Sequence, residues 1–171
     1  MNETKATSST IVWLDEVIDH MDLPSEEWAA YLNRHTGELV TVTDEDQRPV
    51  DSAEDIKDLP EWQSEALPKV REALESDDFL LLPGKFEIHE YRIMEHFSLA
   101  VEELEVREEL LQAIRGRGAF RRFREVIRGR EIQDRWYAFR QQALEDIAIG
   151  WLETNDIAYT RGRRPPSDVG A

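Results

Sequence analysis

The feature that leaves the fold least freedom is a periodic run near the carboxyl end. Ile132, Trp136, Phe139, Ala143, Ile147 and Trp151 follow one another at spacings of four, three, four, four and four. Residues three and four apart are neighbours on an α-helix, so a helix over 131–153 carries all six, both tryptophans included, on one core-facing side. Such a face needs other elements to cover it. The preceding stretch supplies them. Ile93, Met94, Phe97, Ala100 and Val101 form a second stripe, extended by Leu104, Val106, Leu110, Ala113 and Ile114 up to a stop at Gly116. A further segment, 118–128, has Phe120, Phe123 and Ile127 at core spacing, with Gly129 as its expected C-cap.

The amino-terminal half reads differently. Ile11, Leu14, Val17, Ile18 and Met21 have helical spacing, with Thr10 as the expected N-cap. Trp28, Ala30 and Leu32 then alternate, as do Val40 and Val42, which predicts a hairpin about Arg34–Gly37 with Gly37 left-handed. The acid-rich stretch 44–58, broken by Pro49, predicts an exposed loop. A helix after Pro60 carries Trp62, Ala66, Val70, Ala73 and Leu74, and Pro68 is expected to divide it. Phe79–Leu82 predicts a buried strand, and Ile157–Tyr159 a last short one.

The resulting fold class is α+β: an N-terminal helix and antiparallel β-hairpin or small sheet, followed by a C-terminal bundle of about four helices. One domain is expected over 11–160, with a mixed subregion at 11–87 and a helical one at 88–160. Residues 1–10 and 161–171 are expected to be flexible.

Charge and composition exclude several classes. The chain has no cysteine, which removes disulfides, thiolate nucleophiles and cysteine-based zinc sites and favours a reducing cytoplasm. No apolar run approaches the ~18–20 residues of a membrane span, and the polar start has no signal-peptide pattern, so a cytoplasmic protein without membrane contact is expected. The net charge of −16 is unevenly placed. Residues 1–114 hold 29 acids and 9 bases, whereas residues 115–171 hold 8 acids and 12 bases.

The positive end is concentrated in Arg115-Gly-Arg-Gly-Ala-Phe-Arg-Arg-Phe-Arg124, continued by Arg128 and Arg130. At about 100° per residue, with Phe120 at zero, Arg124, Arg117, Arg128 and Arg121 fall at about 40°, 60°, 80° and 100°. Like charges so close repel on a helix, so an anion is expected opposite them. One source is the protein itself, through Glu102, Glu103, Glu105, Glu108 and Glu109 just upstream. The other is external: nucleic acid, phosphate or an acidic protein surface docking on Arg117, Arg121, Arg124 and Arg128. The run lacks the Lys-Ser/Thr ending of a P-loop and the spacing of a dinucleotide fingerprint. Its phenylalanines, at core spacing, are expected to be buried rather than to stack on bases.

No catalytic constellation stands out. His20, His35, His89 and His96 include no pair at the four-residue spacing of a helical zinc motif. No serine sits in a Gly-x-Ser-x-Gly elbow, and Asp44-Glu45-Asp46 lacks the spacing of a calcium loop. The residues therefore assign no catalytic group, metal ligand or cofactor. A hydrolase or nucleotide-processing enzyme would have to draw on His89, His96 and neighbours such as Glu90 and Glu95.

Four segments carry a resemblance. Tyr91-Arg-Ile-Met-Glu-His-Phe97, the arginine run 115–124, Arg135-Trp-Tyr-Ala-Phe139 and Gly150-Trp-Leu-Glu153 resemble the uncharacterised bacterial protein family 0158 (UPF0158). So does Thr36-Gly-Glu-Leu-Val40. Arg124 stands where a lysine is usual and Leu39 where a valine is usual. The resemblance covers roughly 12–157, with no counterpart for the tail after Thr160. It implies a cytoplasmic bacterial protein and carries no activity, cofactor or catalytic residue with it. Together these readings point to a non-enzymatic binding or regulatory module whose arginine-rich helix meets an anionic partner.

Overall fold

A computed structural model describes residues 11–43 and 61–166, with the side chains of 61–67 left aside. The expected caps Thr10 and Pro60 and the acid-rich loop lie outside the described residues. The chain divides into two compact units, residues 1–84 with 148–171 and residues 85–147. The fold is α+β, as the patterning predicts.

The first unit contains α1 (Leu14–Met21), β1 (Ala29–Asn33), β2 (Leu39–Val42), α2 (Glu61–Glu75) and β3 (Phe79–Leu81). The strands form an antiparallel sheet in the order β2-β1-β3. Tyr31 faces Val40 across one pairing and Leu81 across the other, so β1 is central. Alternation sends Ala30, Leu32, Val40 and Val42 inward. Val70 and Ala73 of α2 pack with Val40, Val42 and Phe79. Gly37 does take a left-handed φ of 75°. The buried Asn33 holds the turn, its side-chain oxygen accepting the backbone N–H groups of His35 and Thr36 at 2.8 and 3.0 Å.

Several expectations are corrected. Trp28 precedes β1 and is 40% exposed, so it does not continue the strand's inward face. Ile11 lies ahead of α1 and is exposed. Pro68 sits inside an unbroken α2: it deletes one N–H bond to the preceding turn, and the helix continues through that loss. Ile157–Tyr159 forms no strand, since the parallel bridge here is a single pair, Trp13 with Thr160.

That bridge does the work of the missing N-cap. Trp13 occupies the cap position of α1 and gives no side-chain cap bond. Instead the carbonyl of Thr160 accepts the Leu14 N–H at 2.9 Å and that of Gly162 accepts the Asp15 N–H at 3.1 Å. Two first-turn donors that a helix leaves unsatisfied are thereby paired by a segment far along the chain. The Thr160 N–H returns a bond to the Val12 carbonyl at 2.8 Å. Arg164 adds a fork onto Glu16 at 2.9 and 3.2 Å, and Arg163 reaches Asp19 at 2.9 Å.

The second unit holds α3 (Lys85–Ile88), α4 (Glu90–Ala100), α5 (Leu104–Ala113), α6 (Ala119–Gly129) and the first part of α7 (Gln133–Thr154). Its centre is aromatic. The Phe97 ring meets Trp136 at 5.3 Å, Phe139 at 5.4 Å and Phe123 at 6.2 Å, and Phe123 meets Trp136 at 4.8 Å, all edge to face. α4 and α5 are separated by Val101–Glu103, where Val101 turns extended. The Arg107 side chain donates to the carbonyls of Val101 (2.8 Å) and Glu102 (3.1 Å), supplying partners that a helix end lacks.

Both α6 and α7 end in a left-handed residue that is not glycine. Gly129 remains helical; the left-handed position falls on Glu131 (φ 55°), and Ile132 N–H reaches the Ile127 carbonyl at 3.1 Å. Asp156 (φ 56°) repeats the device after α7, with Ile157 N–H on the Leu152 carbonyl. The second buried residue of each motif, Ile132 or Ile157, closes it with an apolar contact. Along α7 the buried face also winds. Ile132 and Trp136 are buried as expected, but further on Leu144, Ala148 and Leu152 are buried while Ala143, Ile147 and Trp151 are half-buried. Around a straight helix the expected residues stay within about 120° of one another, whereas Leu144, Ala148 and Leu152 lie about 80°, 120° and 160° from Trp136.

Ending the chain after Tyr159 should destabilise the first unit by about 2 kcal/mol, because two cap bonds and the returning one are lost together. Arg163→Ala with Arg164→Ala should leave most of that stability in place, since exposed ion pairs contribute little. Urea unfolding of the two variants separates these outcomes, and equal losses would show that the side chains, not the carbonyls, hold the tail.

Candidate functional site

The arginine run falls at the junction of α5 and α6. Gly116 and Gly118 take left-handed φ values of 74° and 75°. The loop they shape offers three carbonyls to one side chain: Arg122 donates through Nε to Ala113 O at 2.9 Å, through Nη1 to Arg117 O and through Nη2 to Arg115 O. A Cβ at position 118 would stand 3.4 Å from Arg122 Nη1, an ordinary contact, so it is the left-handed backbone angle that calls for glycine there. Arg122 is thus a clasp for the loop, with no carboxylate as its partner. The alternation of Gly-Arg-Gly with an arginine four residues past the second glycine is the legible trace of this arrangement, and the stripe reading passed over it.

Seven of the unit's other arginines divide into two sets; Arg92, Arg107 and Arg115 stand outside both. In one, Arg130 donates to Glu109 (2.7 Å) and Glu105 (3.3 Å), Arg135 forks onto Glu103 (3.1 and 3.2 Å), and Arg140 forks onto Glu90 (2.6 and 3.2 Å). The upstream glutamates do serve as internal partners. They serve Arg130 and Arg135, which sequence reasoning did not place in the stripe. The Glu103 carboxyl is held below its ordinary value chiefly by the hydrogen bonds of Arg135, and the Arg130 and Arg135 guanidiniums are held above theirs by their carboxylates.

The second set faces outward. Arg121, Arg124 and Arg128 lie on α6 and are exposed, whereas Arg117 precedes the helix, in the loop, so a helical-wheel angle does not describe it. Among the described residues Arg117, Arg124 and Arg128 make no ion pair and no side-chain hydrogen bond. Arg121 has one partner, Glu125 at 3.3 Å, and its side chain is 86% exposed. Phe123 and Ile127 of the same helix are buried at 1% and 3%, about 60–160° around the cylinder from Arg121, Arg124 and Arg128. Phe120 is not: it is 47% exposed, so the expectation that all three apolar residues enter the core fails at the first of them. Phe120 sits about 60° from Phe123 around the helix, on the edge next to Arg124.

A groove of about 830 Å³ lies on another side of α6, lined by Glu109, Gln112, Ala113, Arg115, Arg122, Glu125, Val126, Gly129 and Arg130. It mixes both signs of charge and includes none of Arg117, Arg124 and Arg128. Arg121, Arg124 and Arg128 lie on the exposed face of α6 outside this groove, and Arg117 in the loop before that helix.

The histidines gather no acid–base site in the second unit. His89 occupies the cap position of α4 with φ 52° and no cap bond from its side chain, and it is exposed, as is His96. Their neighbour Glu90 is engaged by Arg140. In the first unit His20 Nδ1 lies 2.8 Å from the Glu16 carbonyl and His35 Nε2 lies 3.1 Å from Asp78. Among the described residues no three His, Asp or Glu side chains converge as metal ligands would, and no helix is long and apolar enough to cross a membrane.

Two measurements test this division. Arg122→Gln should lower stability by about 1–2 kcal/mol, because its three bonds are only partly buried, and should broaden the amide resonances of Arg115–Gly118. Unchanged resonances would show that the loop holds itself. For Glu103, a folded value below the unfolded one means that its contribution is present at neutral pH and fades as pH falls through the folded value. Carboxyl NMR titration should give a midpoint below the ordinary glutamate value that Arg135→Ala restores; a midpoint unmoved by that change would refute the pairing in solution.

The model of an uncharacterised protein family, UPF0158, matches residues 9–164, so the chain belongs to that family. The match takes in Arg161–Arg164, a stretch without a counterpart in the resemblance read from the residues. No curated protein and no solved structure matches the chain.

Proposed function

We propose that this member of the uncharacterised family UPF0158 is a non-enzymatic binding module that docks on the phosphate backbone of a nucleic acid through Arg117, Arg121, Arg124 and Arg128. The observation that carries this reading is the sorting of the arginines. Every guanidinium that clasps carbonyls or forks onto a glutamate in this unit lies outside the stripe, while Arg117, Arg124 and Arg128 have no ion partner among the described residues. Placing uncompensated like charges a turn apart is unfavourable for the helix alone, and an external anion relieves it.

Shape narrows the anion. An exposed helix face cannot enclose a small ligand as a pocket does, but it can lie along an extended chain of charges. Arg121 to Arg128 spans about 10 Å along the helix, enough to reach more than one phosphate. Net charge does not forbid the contact. The second unit holds 12 bases and 13 acids, so it is close to neutral while the rest of the chain is strongly acidic. Screening over about 8–10 Å lets the local patch act by itself. The competing hydrolase reading draws on Glu90, whose carboxylate is already bound by Arg140.

Replacing Arg124 and Arg128 by Ala should weaken binding of a labelled oligonucleotide about tenfold or more and flatten the salt dependence of log K by about 1.4. The melting temperature should hold, because neither side chain has an ion-pair or hydrogen-bond partner among the described residues. A drop of several degrees would assign the stripe a structural role. Equal retention of polyglutamate and oligonucleotide by the unaltered protein would move the assignment to an acidic protein.

A further inference from the structure

The inference deepens the reading above and rests on it: we infer that Phe120 is a base-stacking platform, so that the nucleic acid taken by the arginine face is single-stranded. Phosphate contacts alone are blind to strandedness, since a row of guanidiniums meets duplex and single strand alike. An exposed aromatic face beside those guanidiniums is not, because the bases of a duplex are already stacked on one another, whereas those of a single strand are free to stack on protein rings.

Phe120 meets the conditions for such a platform. It lies in the first turn of α6, where helical backbone fixes its direction, and it is 47% exposed although Phe123 and Ile127 of the same helix are almost fully buried. The exposed part of the ring is available to a base. Arg124 stands four residues on, at the spacing that brings side chains on a helix to about 5–6 Å, and about 40° around the cylinder. Arg117 precedes Phe120 by three residues at the exit of the glycine loop. A ring with unpaired cations before and after it in the chain matches the alternation of base and phosphate along a single strand. Other large apolar side chains of this unit are exposed as well, so what singles out Phe120 is its place beside arginines that have no ion partner among the described residues.

The test uses the full chain and two anionic polymers, one with bases for Phe120 to read and one without. One is fluorescent oligothymidylate; the other is inorganic polyphosphate of similar length, which has the charge and no bases. Phe120→Ala should weaken oligothymidylate binding by roughly fivefold to a hundredfold and leave polyphosphate binding within about twofold, as the Arg contacts are retained. Phe120→Leu keeps an apolar side chain of similar bulk without the π-face. It should reproduce the loss and serves as the decisive variant if the alanine form fails to fold. Duplex DNA of the same sequence should bind more weakly than the single strand and be indifferent to both changes. Losses that are equal for the two polymers, or absent for both, overturn the stacking role while the arginine face stands. Absence of binding to either polymer, or binding unaffected by Arg124→Ala with Arg128→Ala, defeats the docking reading itself and this inference with it.

Discussion

The edge-to-face packing of Phe123 against Phe97 and Trp136 sets the rotation of α6, and the exposure of that helix's arginines follows from that rotation. A helix buried through one ring has few ways to turn. With Phe123 and Ile127 directed inward, Arg121, Arg124 and Arg128 are carried to the outer side as a geometric consequence, without any bond of their own to hold them there. The rings are large, and their edge-to-face preference adds about 0.5–1.5 kcal/mol per pair beyond burial, so the orientation is specified rather than merely allowed. Phe97 contributes from α4 and Trp136 and Phe139 from α7, so a single cluster fixes three helices. Because the helix is held by its apolar side, its cationic side is free to serve something else.

Much of this was legible in the sequence. The periodicity of 88–153 identified the helices because a core-facing stripe is a property of spacing, and the alternation of Ala30, Leu32, Val40 and Val42 identified the hairpin for the same reason. What spacing could not convey was pairing at a distance. Thr10 was the sensible N-cap for α1 by local chemistry, yet two of the first N–H groups are met by carbonyls of residues 160 and 162. The left-handed ends of α6 and α7 are another case: glycine is the residue that takes such angles most cheaply, so Gly129 drew the assignment, while the backbone placed Glu131 there because Ile132 closes the motif by packing inward.

The arginine run was read in its position and misread in its division of labour. A helical wheel treats residues 115–130 as one cylinder, and the glycines at 116 and 118 break that assumption. They turn the chain so that Arg117 stands in a loop and Arg122 folds back to hold it. Internal pairing with the upstream glutamates was anticipated, but its partners are Arg130 and Arg135, one at the C-cap of α6 and the other at the start of α7. Distance along the chain explains the choice. Pairing falls to the arginines whose position in the fold brings them to α5, and the wheel of a single helix does not contain that information.

With a net charge of −16 and with Arg124 and Arg128 of α6 lacking an ion partner among the described residues, the proposed docking would separate two electrostatic jobs. The acidic remainder opposes indiscriminate attraction of polyanions at long range, where only total charge is felt, while the local patch acts within a Debye length. An interaction built this way is slow to form by steering and depends on close fit once contact is made. Charge supplies the short-range hold and cannot by itself discriminate among anions of similar density. Discrimination has to come from an uncharged group within the same reach, and on the outer edge of α6 the half-exposed ring of Phe120 is such a group. In the docking proposed above, specificity would therefore reside in Phe120, the exposed apolar side chain that stands beside the arginines of α6.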